Sequence, residues 1–156
     1  MATSPGKSSE LADTLAVIAE AVLEDHAELD RAVLGLRGMC AVLRAGHAPG
    51  SGEPAGLIED FEAQLILHFA AEEAEEFFGS LVTDEPRLLQ RVAALQDEHG
   101  RMAEAVGQLL ESAKSGAPGP EMAERITRFL GWFTAHEHAE NALMQEFLLL
   151  DKRGSD

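Results

Sequence analysis

At 156 residues, with 46% hydrophobic side chains and only six prolines, the chain has the size of one domain that can bury a core without covalent staples. A formal charge of −16 excludes nucleic acid and anionic membrane surfaces as partners, since both are polyanions that need lysine and arginine opposite them. The single cysteine rules out an intrachain disulfide, no run approaches the ~20 apolar residues of a membrane span, and MATSPGKSSE lacks the apolar stretch of a signal peptide, so a soluble, cytoplasmic protein is expected.

Residues 1–8, rich in Ser, Pro and Gly, are expected to be a disordered tail, 9–151 the folded domain and 152–156 a second tail. From Ser9 the apolar positions run Leu11, Leu15, Ile18, Val22, His26, Leu29, Val33, Leu36, Cys40 and Leu43. The alternating steps of four and three are those of an amphipathic helix, and His26 holds one of its core positions. This long first helix ends at Gly46, before the breaker-rich GHAPGSGEP. A second stripe, Ile58, Phe61, Leu65, His68 and Glu72, predicts a helix from about Pro54 to Phe78. After a loop at 79–84, Pro86 is placed for a first helical turn, and Leu88, Val92, Leu95, His99, Met102, Val106, Leu109 and Ala113 form the third stripe. SGAPGP at 115–120 then precedes a fourth helix to about Leu150, striped by Met122, Ile126, Phe129, Phe133, His136, Glu140, Leu143, Phe147 and Leu150. Four helices with short connections predict an all-α, up-down-up-down antiparallel four-helix bundle.

Four of the six histidines therefore stand on core stripes, one per helix, and two have a glutamate one turn later on the same face. Counting helix rise around the bundle puts His26 and His68 within roughly 9 Å of one level, a mismatch the first loop can absorb, and lets all four insertions meet near one height. The prediction is one interior cluster of His26, His68, Glu72, His99, His136 and Glu140. A lone core histidine is more often satisfied by a neighbour than by a metal, but four imidazoles with two carboxylates have no ordinary structural purpose. Without a cation the buried glutamates are expected to be protonated or destabilising.

Six ligands are too many for one zinc, and imidazole is the wrong donor for calcium. Mixed imidazole and carboxylate suits iron or manganese, and the ligand types alone leave the choice between the two open. Two ions use every residue once: His26 with His68 on one, His99 with His136 on the other, Glu72 and Glu140 bridging. With a solvent-derived oxo or hydroxo bridge each ion is about five-coordinate and keeps a position for an exogenous ligand.

The pattern His26, His68-Phe-Ala-Ala-Glu72, His99 and His136-Glu-His-Ala-Glu140 resembles hemerythrin-like proteins with the HHE cation-binding domain, over nearly the whole chain. The resemblance implies two iron ions in a non-haem, oxo-bridged centre that meets dioxygen, peroxide or nitric oxide. Ala103 stands where oxygen-carrying hemerythrins have a fifth histidine, which counts against reversible oxygen carriage. The sequence is similar in this respect to bacterial relatives of four-His, two-Glu type, some of which look like peroxide-handling or stress-response proteins. A ferritin-like site needs Glu-x-x-His pairs, and no histidine here has a glutamate three residues before it.

Smaller roles can be assigned to neighbours. Asp30, one turn after His26, is placed to hydrogen-bond a ligand imidazole or relay protons. Phe69, Phe129 and Phe133 are expected to form a dry shell, and Trp132 to wall the pocket or simply to pack. The acidic run Glu73, Glu75, Glu76, Asp84 and Glu85 is either an ion entry path or a solvated face. Cys40 reads as a core hydrophobe and His47 and His138 as exposed. The leading functional expectation is a di-iron oxidoreductase of peroxidase or catalase type. The alternatives are a non-catalytic sensor or carrier of dioxygen, nitric oxide or iron, and a metal-free interaction protein. A monomer or a homodimer is expected.

Overall fold

The computed structural model describes residues 26–47, 50, 52–74 and 86–154, of which 148 and 150–154 are described by backbone alone. Among these residues the chain is helical over 26–44 (α1), Glu53–Glu73 (α2), Leu89–Lys114 (α3) and Gly119–Gly154 (α4), with a 3-10 turn at Pro86–Leu88 leading into α3. There is no strand among them. The stripe positions from Leu11 to Val22, the loop at 79–84 and most of the acidic run lie outside the described residues.

Each helix packs against the next with residue numbers running in opposite senses. The rings of His26 and His68 meet where α1 faces α2, and Gly35 lies opposite Leu57 further along. Glu72 meets His99, and Glu62 reaches Gly107, between α2 and α3. From α3 to α4, Arg91 pairs with Glu146, His99 with His136 and Ser112 with Arg125. The ring closes where Cys40 Sγ donates to the Ala123 carbonyl at 3.7 Å and Leu43 abuts Gly119. This is the all-α, up-down-up-down antiparallel four-helix bundle.

Local chemistry sets the helix ends. α1 and α3 both stop in a Schellman motif: Gly46 and Gly116 take φ 75°, with His47 N–H donating to Val42 O and Ala117 N–H to Ser112 O. A side chain at either position would force an L residue into the left-handed region. α2 ends differently, at Glu73 rather than at about Phe78 as predicted. Its last turn carries Glu72 and Glu73 with no basic residue, which opposes the helix dipole, and at Ala74 the backbone turns extended. α4 runs past Leu150 to Gly154.

The core positions are those of the four stripes. Phe61, Leu65, Met102 and Val106 are fully buried, joined by Leu29, Leu36, Ile126 and Phe133 in one large apolar cluster. A second cluster, Leu88, Val92, Leu95 and Leu143, lies further along α3 and α4. His99, His136 and Glu140 come between the two along those helices. The polar layer is thus flanked by hydrocarbon, where charge interactions are stronger than in water.

Candidate metal centre

His68, Glu72, His99, His136 and Glu140 are all buried, between 1% and 6% exposed, and His26 is half-buried. Helix periodicity delivers them: His68 with Glu72 and His136 with Glu140 are one turn apart, at 2.7 Å and 2.6 Å between ring Nε2 and carboxylate Oε1. Across the bundle, His99 Nε2 lies 3.1 Å from Glu72 Oε2, 3.2 Å from Glu140 Oε1 and 3.1 Å from His136 Nε2.

A single ring nitrogen cannot serve three acceptors at once, since a neutral or protonated imidazole has at most one N–H at that atom. The convergence extends further. Although His68 Nε2 and Glu72 Oε1 are 2.7 Å apart, His68 Nε2 and Glu72 Oε2 are buried without a properly aligned hydrogen-bond partner among the described residues. Buried polar atoms that gather without pairing are what a cation-binding site looks like before the cation is counted. One ligand atom each from Glu72, His99, His136 and Glu140 lie within 4.8 Å of one another, and the same holds for His26, His68 and Glu137. The residues present therefore fit metal ions of the mixed imidazole and carboxylate kind.

Three carboxylates around this layer escape the stripe analysis. Glu73 Oε1 lies 3.2 Å from His99 Nδ1, and Glu98 Oε1 lies 3.5 Å from His136 Nδ1. Both accept from the outer nitrogen of a ring whose Nε2 faces inward, an arrangement that sets the tautomer a metal ligand needs. Glu98 is itself held by Trp132 Nε1, which donates to its Oε2 at 2.7 Å. The third is Glu137. Each of the three is next in sequence to a stripe residue and so is rotated by about 100° toward a neighbouring helix, where a search along the stripe misses it.

The expected minor residues sort as follows. Phe69 stacks on His99 with ring centroids 4.0 Å apart and meets His136 edge-on, so it covers the cluster. Phe133 and Phe129 instead pack edge-on against Phe61 in the large apolar cluster. Trp132 packs against the large apolar cluster, edge-on to Phe129, and anchors Glu98. Asp30 is exposed and makes no hydrogen bond among the described residues, because it lies about 100° around α1 from buried Leu29; its charge is felt at Glu137 instead. Cys40 is buried, and His47 and His138 are exposed.

Electrostatics revises one expectation. Burial alone would neutralise both kinds of group, lowering each histidine and raising each carboxyl. Against burial, the adjacent carboxylates of Glu140, Glu72 and Glu73 push the His99 imidazole up to about 9. His68 and His136 are raised for the same reason, by Glu72 and Glu140 respectively. Glu72 moves the other way: burial opposes ionisation, but His68, His99 and Glu140 together hold it well below the ordinary carboxylate range. Without a metal Glu72, for one, is held ionised rather than protonated as expected. The imidazoles take up protons instead and stand in for the cation.

Comparisons with curated proteins and with solved structures give no match. The family model described as Hemerythrin HHE cation binding domain matches residues 17–148, which contain all four stripe histidines and both stripe glutamates. On that match, and on a buried histidine and glutamate layer suited to metal, the chain belongs to the hemerythrin HHE cation-binding domain family.

Proposed function

We propose that this chain is a di-iron protein of the hemerythrin type that reacts with dioxygen or peroxide. His26 and His68 hold one ion, His99 and His136 the other, and Glu72 and Glu140 join them. The observation that carries this reading is the convergence at His99 Nε2, where two carboxylates and a second imidazole approach within 3.2 Å of one nitrogen. When bound, the irons supply Lewis acidity and electrons. The protein holds the His99 and His136 imidazoles in one tautomer through Glu73 and Glu98, excludes water with Phe69 and the flanking apolar clusters, and this chemistry calls for no side-chain nucleophile. Ala103, half-buried one turn after His99, carries no ligand atom at that position.

The test is the optical spectrum of anaerobically iron-loaded protein as dioxygen is admitted and then withdrawn, together with peroxide consumption. Irreversible oxidation and turnover of many equivalents of peroxide by each protein molecule support the redox reading. A coloured species that fades when dioxygen is withdrawn, with at most stoichiometric peroxide loss, identifies a carrier or sensor instead. Absence of iron uptake refutes both.

A further inference from the structure

Glu137 is half-buried on α4, one residue beyond His136, with its side chain 21% exposed. The 100° turn between neighbours sends the two side chains to different partners: His136 to His99 on α3, Glu137 to His26 and His68. Its carboxylate pairs with no lysine or arginine and makes no hydrogen bond among the described residues. It faces His68 Nε2 at 4.0 Å, too far for a hydrogen bond and about twice the ~2.1 Å of a metal–imidazole or metal–carboxylate bond. Ligand atoms of His26, His68 and Glu137 all lie within 4.8 Å of one another. Two imidazoles and an otherwise unused carboxylate, one from each of three helices, thus offer ligand atoms to one place among the described residues.

We infer that Glu137 is a terminal ligand of the ion held by His26 and His68, so that the centre has seven protein ligands and two unlike halves. This rests on the two-ion reading above. The corresponding carboxylates on the other side, Glu73 and Glu98, touch the outer nitrogens of His99 and His136 and support those rings rather than the ion. Glu137 therefore closes a position on the His26–His68 ion. The His99–His136 ion is left with the open one, and exogenous ligands bind there.

The experiment is an anaerobic titration of the full chain with ferrous ion, read by bound-metal analysis and by Mössbauer spectroscopy of the ferrous protein. Wild type is expected to bind two equivalents and to show two distinct iron environments. Glu137→Gln, which keeps the shape and removes the charge, is expected to retain one tight equivalent and to bind the second at least tenfold more weakly. Glu137→Asp serves if the glutamine variant fails to fold, with the same expected loss. Two equivalents bound by either folded variant with wild-type affinity and an unchanged spectrum overturn the assignment while leaving the two-ion reading intact. Fewer than two equivalents in the wild type overturn both.

Discussion

Raising the pH of the metal-free protein from 6.5 to 9 should destabilise it, and the size of the loss follows from the buried layer. The His99 imidazole, ordinarily near 6.5, is pushed up to about 9 by Glu140, Glu72 and Glu73 acting against burial. A folded-state value above the unfolded one means that protonated His99 favours the native state. That contribution is complete below pH 6.5 and disappears as the pH passes through 9. At about 1.4 kcal/mol per pH unit the displacement is worth on the order of 3 kcal/mol, shared with the carboxylates that cause it. For a domain of this size, that corresponds to a fall of roughly 6–12 °C in melting temperature. Glu72, held below its ordinary 4.5, acts with the opposite sense: its contribution is present above pH 4.5 and is lost as the pH falls through its lowered native value. The chelator-treated protein should thus be most stable between about 4.5 and 6.5, as read by circular dichroism melts across pH. His99→Gln should flatten most of the alkaline slope, separating this effect from general repulsion in a chain of net charge −16. Metal uptake should strengthen over the same alkaline interval, because ions and protons compete for the imidazoles. A metal-free melting temperature that stays level or rises from pH 6.5 to 9 would refute the reasoning.

Glu72→Ala removes a carboxylate that touches both His68 and His99, and stoichiometric iron binding should vanish while the helical circular dichroism signal is retained. Glu98→Ala frees His136 Nδ1 and Trp132 Nε1 together; metal affinity should fall about 10–100-fold, as for other outer partners of ligand histidines. Because Trp132 is the only tryptophan, its fluorescence should change on metal loading in the wild type and lose most of that response in Glu98→Ala. Phe61→Ala empties a fully buried position in the large apolar cluster and should cost about 3–5 kcal/mol in urea unfolding, with little change in bound metal per folded molecule.

The bundle was legible because its signal is periodic and redundant. Every described residue of the four apolar stripes is at least half-buried, and the glycines that close α1 and α3 stand where the stripes run out. The buried centre was legible for the same reason, since a histidine or glutamate that interrupts an apolar stripe must enter the core with it. What lay off the stripe was obscured. Glu73, Glu98 and Glu137 sit beside stripe residues but act on rings carried by other helices, and in a chain with 28 acidic residues an extra glutamate gives no warning. The end of α2 was placed too late, near Phe78, although its stripe stops at Glu72 and the helix stops one residue beyond, at Glu73. The protonation of Glu72 was misjudged by treating a buried carboxyl alone. For Glu72, His68, His99 and Glu140 together reverse the balance that burial sets.

The imidazoles come one from each helix, but the carboxylates are unevenly dealt. α2 and α4, which stand at opposite corners of the bundle, supply Glu72, Glu137 and Glu140, while α1 and α3 supply His26 and His99. An occupied centre would clasp segments more than a hundred residues apart in a chain that has no disulfide, restricting the unfolded chain much as a covalent loop closure does. Unless that clasp is already made when folding commits, it acts on the rate at which the protein comes apart rather than the rate at which it assembles. Loss of metal would then mark a molecule for proteolysis before any change in its helices is visible.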